Sequence, residues 1–474
     1  MFRPSLFVLL LAGLGSHPAS AALSHTQIQQ VDGLLQFEEQ GVVPGCAAGV
    51  FKEGQGQYVT ASGYSNLAEE TKINGDTRFY AGSLSKQFTA LGIMKLVERG
   101  KLSLSDPLTQ YFPEMPDYAQ NITVNMLIHH ISGIRDGLGL IRLAGVPDLS
   151  TSNLSTALKL LALQQHPDFE PGTHYAYSNG GYLLLAGIIE QVSKMPFSDY
   201  MRQAVLEPMG MTQSFFVSAP IADGFMAQGY LKQGSLFKQQ NDFPSFSGSG
   251  GLITSINELG KYEYDLAQGH KVWTDKAKTM MLSPATFNDG SVVREQHGLI
   301  YAGGIKLGIQ EGKQWMMHTG ASSTFKSAYG RLVDSHYSII VLCNRNDGKP
   351  ATKLAALADV VATSSPDNHQ YEGPLRLMKV APKPSAVPPA GSYYSGELDV
   401  TYLVAPVKDG ADVTIISAWP GHPQPAAQFR LRYDENGVLR DGINVLEYDP
   451  QTKTFAMKRG RIHGIVFTPV SANG

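Results

Sequence analysis

The sequence predicts a protein of two parts: a large domain of mixed helices and strands, in an α/β or α+β arrangement, followed by a small all-β domain. Two β runs near the start of the large part and three near its end indicate one sheet built from both ends of this domain. The region between them has mainly helical periodicity, which predicts a helical insertion. After a proline-rich stretch the pattern changes to short alternating runs, which are typical of a barrel or a curled sheet.

The large domain is predicted over residues 22–375, and its elements follow from hydrophobic periodicity. Residues 26–40 are predicted as a helix, and residues 45–51 and 58–63 as strands separated by a glycine-containing turn. The late elements are three strands and a helix, at residues 314–318, 325–333, 337–343 and 352–363.

Residues 376–391 are predicted as a linker, because the prolines between Ala381 and Gly391 make this stretch stiff. Residues 392–474 are predicted as a small, lipocalin-like β-barrel. Its clearest alternating runs are residues 412–417, 427–433, 454–458 and 462–468.

Residues 1–21 have the pattern of a secretory signal: Arg3 is the positive start, residues 6–14 are apolar, and Ala19-Ser20-Ala21 is a cleavage site of small residues. A membrane anchor is the alternative, but this apolar run is shorter than the roughly 20 residues that cross a bilayer. We therefore expect a periplasmic or secreted protein with no stable membrane insertion after the signal is removed.

The composition argues against several classes of partner and cofactor. With a formal net charge of -3 and no run of Lys or Arg, the chain lacks the pattern of a nucleic-acid-binding protein. It has no H-E-x-x-H metal motif, no G-x-x-x-x-G-K-[ST] nucleotide loop and no G-x-S-x-G nucleophile elbow. His129 and His130 are adjacent and cannot point the same way from a helix. We expect no metal and no cofactor.

The two cysteines, Cys46 and Cys343, leave two alternatives open. In an oxidising compartment they could form one disulfide. Two buried free thiols on core strands are the other alternative. Because there is no C-x-x-C pair, a thiolate metal site is not expected.

Ser83 is predicted at the start of a helix. A short extended piece ends at Gly82, and apolar residues then recur at helical spacing as far as Gly100. Lys86 follows one turn later on the same face. The helix start favours alkoxide character at Ser83, and desolvation would lower the pKa of Lys86 so that it could serve as a base.

Two further segments carry candidate site residues. Tyr177-Ser178-Asn179 stands just before a predicted helix, where Tyr177 can relay a proton and Asn179 can hold a substrate amide or Lys86. His318, Thr319, Gly320 and Ala321 end a late strand. There the Ala321 N–H could join that of Ser83 in an oxyanion hole, Thr319 could bind a carboxylate, and Gly320 permits close approach of the backbone, whereas a lone His on a strand is usually structural.

Some of these motifs have duplicates in the chain. Ser-x-x-Lys also occurs at residues 235–238 and 323–326, in a Gly/Gln-rich loop and a strand-like stretch. Tyr-Ser-Asn also occurs at residues 64–66, where a hairpin turn is the better interpretation. We expect none of the duplicates to be catalytic.

With SLSK at Ser83, YSN at Tyr177 and HTG at His318 in this order, the chain resembles the class C β-lactamase and D-Ala-D-Ala carboxypeptidase family of penicillin-recognising serine hydrolases. That family also includes esterases and D-amino-acid peptidases. Residues 127–133 (LIHHISG), 177–211 and 250–259 (GGLITSINEL) resemble further family segments, and the similarity spans about residues 27–362.

The resemblance implies a β-lactamase/transpeptidase-like sheet flanked by helices. It implies Ser83 as the acylated nucleophile, Lys86 and Tyr177 as general base and acid, and Asn179 as a positioning group. The N–H groups of Ser83 and Ala321 would form the oxyanion hole. It also implies that the strands holding the two cysteines are antiparallel neighbours, which predicts proximity of the thiols without deciding whether they are bonded.

One residue departs from the β-lactamases of the family, which usually carry Lys where this chain has His318. A neutral His attracts a substrate carboxylate less strongly than Lys does. We therefore expect an exported serine hydrolase for D-amino-acid peptides, amides or small esters, with a small molecule or peptide as its partner. A weak β-lactamase, or a penicillin-binding scaffold with little turnover, is the alternative. The pocket walls are expected from loops at residues 134–149 and 224–249.

Overall fold

The computed structural model describes residues 22–146, 148–221, 224–241, 243–295, 298–362, 371–417, 419 and 426–470. The predicted signal at residues 1–21 lies outside the described residues. Within these ranges the chain forms a domain of mixed helices and strands and a closed C-terminal barrel, which confirms the predicted fold class. No helix in these ranges is long and apolar enough to cross a membrane.

The α-helices of the described ranges all belong to the large domain. In chain order they are α1 (His25–Leu35), α2 (Ser85–Glu98), α3 (Val124–Ile128), α4 (Gly137–Leu143), α5 (Leu154–Ala162), α6 (Asn179–Ser193), α7 (Phe197–Met201), α8 (Glu207–Met209), α9 (Ile256–Tyr264), α10 (Asp275–Leu282) and α11 (Pro350–Val361). The predicted first helix ends earlier than expected, at Leu35, because the chain becomes extended at the C-cap residue Gln36.

The strands of the large domain are, in chain order, β1 (Cys46–Lys52), β2 (Gln55–Ser62), β3 (Tyr64–Asn66), β4 (Thr71–Lys72), β5 (Phe79–Tyr80), β6 (Phe215–Phe216), β7 (Tyr230–Gln233), β8 (Leu236–Gln239), β9 (Leu252–Thr254), β10 (Ile300–Tyr301), β11 (Lys306–Gln310), β12 (Lys313–Ala321), β13 (Lys326–Leu332) and β14 (Tyr337–Cys343). Seven of them form the main sheet in the order β10-β11-β12-β13-β14-β1-β2. The first two strands therefore pair onto the late ones, as the sequence predicts.

The edge strand β10 of the main sheet and its neighbour β11 were not predicted. Gly303, Gly304 and Gly308 made this stretch look like a loop. Gly308 lies in β11 with a φ of +141°, and a Cβ there would lie 2.9 Å from a side-chain carbon of Leu299. The glycine thus marks a close approach inside a strand, which composition alone cannot distinguish from a turn.

Helices cover both faces of the main sheet. On one face α1 and α11 bury Val31, Leu35 and Leu357 against strand residues such as Val341. The helical insertion, including α2 and α9, covers the other face with residues such as Phe88 and Ile256. This second face is where the candidate catalytic residues meet.

The C-terminal barrel is closed and antiparallel. Its strands are β15 (Gly391–Ser395), β16 (Val400–Val407), β17 (Gly410–Ser417), β18 (Ala427–Tyr433), β19 (Leu439–Asp441), β20 (Asn444–Asp449), β21 (Thr454–Arg459) and β22 (Ile462–Pro469). The first strand, β15, pairs with the last, β22, so that the sheet closes on itself. Tyr402, Phe455 and Phe467 fill its interior.

Cys46 and Cys343 form a disulfide, which resolves the two alternatives left by the sequence. The residues lie directly opposite each other on the antiparallel strands β1 and β14, with a Cα–Cα distance of 4.0 Å. The bond connects the first strand of the sheet to the last one of the domain. It therefore closes a very long loop, which reduces the freedom of the unfolded chain.

Replacing both cysteines, with Cys46→Ala and Cys343→Ala, should lower the free energy of unfolding by about 2–5 kcal/mol. A reductant should lower the melting temperature of the native protein and leave that of the double variant unchanged. Detection of free thiols in the unsubstituted protein, denatured without reductant, would contradict the disulfide.

Candidate active site

Ser83 lies where the chain turns from β5 into α2. A short 3-10 turn, Gly82–Leu84, connects the strand to the helix, so Ser83 precedes the first residue of α2 and Lys86 lies in its first turn. Gly82 has a φ of +55°, in the left-handed region that favours glycine. The predicted strand-to-helix setting is present, with one extra turn between the two elements.

Lys86 is fully buried, and three oxygens surround its Nζ. Nζ lies 3.1 Å from Ser83 Oγ, and it donates hydrogen bonds to Asn179 Oδ1 at 2.8 Å and to the backbone carbonyl of Ser249 at 2.6 Å. Burial lowers the pKa of Lys86 well below its usual value, against the opposing effect of the Asp136 carboxylate. A lysine that gives up its proton easily beside a serine hydroxyl can act as the base for that serine.

Tyr177 forms a hydrogen bond with the same hydroxyl. Burial raises the pKa of Tyr177 above its ordinary value, although a hydrogen bond with Ser83 and the charge of Arg461 oppose this shift. Lys86 Nζ lies 4.8 Å from the centroid of the Tyr177 ring. Two neighbouring groups whose pKa values move in opposite directions suit the roles of base and acid, since the lysine is readily neutral while the phenol keeps its proton.

Asn179, the first residue of α6, links Lys86 to Asp136. Its Oδ1 accepts from Lys86, and its Nδ2 donates to Asp136 Oδ2 at 2.8 Å. The other carboxylate oxygen of Asp136 caps α4 by accepting from the Gly139 N–H at 3.2 Å. Of the two roles predicted for Asn179, holding Lys86 is the one present in this arrangement.

The backbone N–H groups of Ser83 and Ala321 lie close together because two glycines let β12 approach the turn. A Cβ on Gly320 would lie 2.1 Å from the Ala81 carbonyl oxygen and 3.0 Å from Ser83 N, and one on Gly82 would lie 2.6 Å from Ala321 N. Ser83 and Ala321 line the same cavity. This placement suits the predicted oxyanion hole.

His318 is buried in the cavity wall, and burial together with the charge of Lys86 lowers the pKa of His318 to about 3. Its Nδ1 lies 2.7 Å from the Thr319 carbonyl oxygen and therefore carries the proton, while Nε2 accepts from the Tyr301 hydroxyl at 3.0 Å. Both ring nitrogens are thus engaged by protein groups in this structure, and the substrate-binding role expected of His318 stays a prediction. Thr319 is exposed to the cavity, as predicted.

The roles of His130 and Tyr301 were not predicted from the sequence. His130 Nδ1 accepts from the Ser178 N–H at 3.1 Å, and its ring lies 4.3 Å from the Tyr177 ring and 4.4 Å from the Tyr301 ring, centroid to centroid. Burial lowers the pKa of His130 well below its usual value, so it packs as a neutral ring. The family-like segment at residues 127–133 was the signal for His130, whereas Tyr301 lies in a two-residue strand without a motif.

A cavity of about 1220 Å³ lies over Ser83. Its walls come from β12, from residues 349–352, from residues 377–381 and from the β21–β22 hairpin at residues 460–463. We expected residues 134–149 and 224–249 to form the walls, but none of their described residues lines this cavity. The barrel hairpin and the chain leading to the barrel supply part of the lining instead.

The start of the predicted linker belongs to this wall. Tyr175 N–H donates to the Arg376 carbonyl at 2.8 Å, and Met378 N–H donates to the Tyr175 carbonyl at 3.1 Å. This parallel bridge lies two residues before Tyr177, so backbone hydrogen bonds hold the segment against the site.

Two consecutive residues, Arg135 and Asp136, connect the site to the barrel. Arg135 Nη1 pairs with Glu397 at 2.7 Å, and Arg461 Nη2 pairs with Asp136 Oδ2 at 3.3 Å. The backbone carbonyl of Arg135 also accepts from the Ser178 hydroxyl at 3.1 Å. The barrel is therefore in contact with the same residues that position the Tyr-Ser-Asn segment.

The duplicate motifs are separated by the fold. Ser235 and Lys238 belong to the β7–β8 hairpin, and residues 64–66 form the short strand β3, which was predicted as a hairpin turn. Neither lines the cavity over Ser83. Lys326, from the third Ser-x-x-Lys copy, does line it, although it follows a turn rather than starting a helix.

The family model described as Beta-lactamase matches residues 29–363, which is more than half of the chain. The chain belongs to this family. Its members are serine hydrolases, and the matched range contains every candidate site residue predicted from the sequence.

Individual relatives agree with this assignment. The chain is 25% identical over 304 residues to penicillin-binding protein 4* of Bacillus subtilis (strain 168), which covers 61% of this chain and 66% of that protein. Another relative from that strain is matched over only 57% of its length. The chain thus spans less than two thirds of the length of either relative.

Two solved structures share the fold. The octameric penicillin-binding protein homologue from Pyrococcus abyssi has a TM-score of 0.58 at 22% identity, covering 90% of this chain and 96% of that one. The D-amino acid amidase from Ochrobactrum anthropi SV3 has a TM-score of 0.59 at 20% identity, covering 71% of this chain and 99% of that one.

Replacing Gly320 with alanine should remove most of the turnover. The added Cβ would meet the Ala81 carbonyl and push β12 away from Ser83, which separates the two N–H donors. Loss of one such donor typically lowers kcat by about 10²–10³-fold. The measurement is kcat, with the melting temperature recorded to verify folding.

Gly33→Ala is the matched control, since nothing lies within 4 Å of a Cβ placed there in α1. We expect normal kcat and equal or higher stability for this variant. A folded Gly320→Ala protein that turns over substrate at the normal rate would contradict the oxyanion hole.

Proposed function

We propose that this protein is an exported serine hydrolase. Its substrates are D-amino-acid peptides or amides, or small esters, and Ser83 carries the acyl group during the reaction. The observation that carries the proposal is the pair of buried groups at the Ser83 hydroxyl, Lys86 with a lowered pKa and Tyr177 with a raised pKa. Family membership and the likeness to a D-amino acid amidase support the same class. Export rests on the signal pattern of residues 1–21.

Acylation begins when Lys86 Nζ takes the proton of the Ser83 hydroxyl while Oγ forms a bond to the substrate carbonyl carbon. The negative charge on the carbonyl oxygen is stabilised by the N–H groups of Ser83 and Ala321. Tyr177 donates its proton to the leaving nitrogen or oxygen as that bond breaks. The proton on Lys86 then restores the phenol.

Deacylation uses the same groups in reverse. Water attacks the acyl carbon and gives one proton to the Tyr177 hydroxyl, which passes its own proton to neutral Lys86. The bond between the acyl carbon and Ser83 Oγ then breaks, and the proton held by Lys86 returns to Oγ. Because Lys86 is readily neutral in this site, no strong external base is required. We propose that the hydrolysis needs no cofactor and no metal.

The test compares kcat/KM for a D-alanyl amide and for a short-chain p-nitrophenyl ester, with native protein, Ser83→Ala and Ser235→Ala. Removal of a serine nucleophile lowers kcat by about 10⁶-fold. Ser235 stands in an exposed duplicate of the motif, so its replacement should leave turnover unchanged. Mass spectrometry of quenched protein should detect the acyl adduct on the peptide that contains Ser83.

Near-normal turnover by Ser83→Ala would overturn the assignment. An acyl adduct that accumulates without product release would favour the penicillin-binding alternative. A preference for the D-alanyl amide over the ester would place the protein among the peptidases and amidases rather than the esterases.

A further inference from the structure

The cavity over Ser83 has a strong excess of positive charge. Its described lining includes Arg461 and four lysines, but only one carboxylate, that of Glu295. This carboxylate is already paired, because Lys306 Nζ lies 2.8 Å from it. The remaining lining cations are Arg461, Lys326, Lys349 and Lys379. A cavity of this charge attracts anions.

Arg461 is the cation of this set that touches a catalytic residue. It comes from the β21–β22 hairpin of the barrel, and its guanidinium carbon lies 4.9 Å from the centroid of the Tyr177 ring. Its Nη2 pairs with Asp136 at 3.3 Å, and the side chain is 53% exposed. The guanidinium is thus held in place from one side, while its exposed part faces the cavity.

Other charged groups near Ser83 are less suited to bind an anion there. Lys86 is fully buried and serves as the base, so it must be neutral when it acts. His318 is neutral and has both ring nitrogens engaged. Lys306 is occupied by Glu295. Arginine is also the side chain best matched to carboxylates, since its planar N–H groups can bind both oxygens.

We propose that Arg461 binds a carboxylate on the leaving group of the substrate, so that the C-terminal barrel is part of the active site and determines its specificity. The proposal rests on the proposed function, because it takes Tyr177 as the proton donor to the leaving group. A guanidinium on the ring of Tyr177 lies on the leaving-group side of the bond that Ser83 attacks. The substrates are therefore peptides or amides whose departing part is anionic.

The same charges disfavour a substrate with a free ammonium group in the cavity. A cation would meet Arg461 and the three lysines and would find in the described lining only the paired Glu295. Among the proposed substrates, this charge favours those with a blocked amino group over unblocked amino-acid amides, which are cations at neutral pH. The barrel thus selects for the charge of the departing group.

Binding to Ser83→Ala protein tests the proposal without depending on turnover. The ligands are acetyl-D-alanyl-D-alanine and its C-terminal amide, which differ only in the carboxylate. Arg461→Gln in this background should weaken binding of the acid by about 10- to 100-fold, as expected for a lost charge-assisted hydrogen bond. Binding of the amide should change less than about 2-fold, since neutral contacts remain.

Arg430→Gln is the matched control. Arg430 lies on the same barrel, pairs with Asp412 at 2.5 Å and is 52% exposed, but it does not line the cavity. The Arg430→Gln variant should bind both ligands normally.

A third ligand, acetyl-D-alanyl-D-glutamic acid 1-amide, carries its carboxylate on the side chain. Binding of this ligand that depends on Arg461 would show that the recognised carboxylate lies on the side chain of the departing residue rather than at the chain end.

Turnover provides a second readout. Arg461 also lowers the pKa of Lys86 and of Tyr177, so Arg461→Gln should alter kcat for the acid and the amide alike, whereas loss of carboxylate binding raises KM for the acid alone. Equal losses of binding affinity for the acid and the amide on Arg461→Gln, or no measurable binding of either carboxylate ligand to the Ser83→Ala protein, would overturn the proposal. The proposed function itself fails on a different result, namely if the native protein shows no turnover that depends on Ser83.

Discussion

The active site depends on keeping the side chain of Lys86 out of water. Burying an ammonium group costs several kcal/mol even after the protein relaxes around it, and the cost is offset only if its donors are satisfied. Here the three acceptors come from separate parts of the chain: Ser83 from the turn before α2, Asn179 from the start of α6 and the carbonyl of Ser249 from a loop. Thr89 fixes that loop to α2 by donating to the Gly248 carbonyl at 2.7 Å.

The same arrangement explains why the base and the acid have different protonation states. Lys86 and Tyr177 are both withdrawn from solvent, and burial disfavours the charged form of each. For the lysine this favours the neutral amine, and for the tyrosine it favours the neutral phenol. One physical cause therefore prepares a proton acceptor and a proton donor at one hydroxyl.

The barrel joins this arrangement through two neighbouring residues. Arg135 pairs with Glu397 of the barrel, and Asp136 pairs with Arg461. Asp136 in turn accepts from Asn179, which holds Lys86. Arg135 and Asp136 differ in charge, and each pairs with a barrel side chain of the opposite sign. These two ion pairs orient the barrel relative to the large domain. Tyr402 adds a hydrogen bond to the Leu143 carbonyl at 2.7 Å.

Much of this site was predictable because its groups are side chains in recognisable local settings. Ser83 and Lys86 stand at a strand-to-helix junction, and Tyr177 precedes a long, mostly buried apolar helix, so these settings separated them from their duplicates.

Other parts of the site had no such signal. The Ser249 carbonyl is a backbone group, and any residue could supply it. Arg461 comes from another domain, and its position depends on how the barrel packs. The edge strand β10 and its neighbour β11 were hidden by glycines, one of which, Gly308, permits close packing inside a strand.

The most direct test of this account is the pKa of the Lys86 amine itself. An NMR titration of protein with ¹³C-labelled lysine side chains, with the Lys86 signal identified by its loss in Lys86→Met, measures that value without any substrate. We expect a midpoint well below the ordinary lysine value of about 10.4, while the other lysine signals serve as internal references. A midpoint at or above that value would show that Lys86 keeps its proton, and it would contradict its role as the base for Ser83.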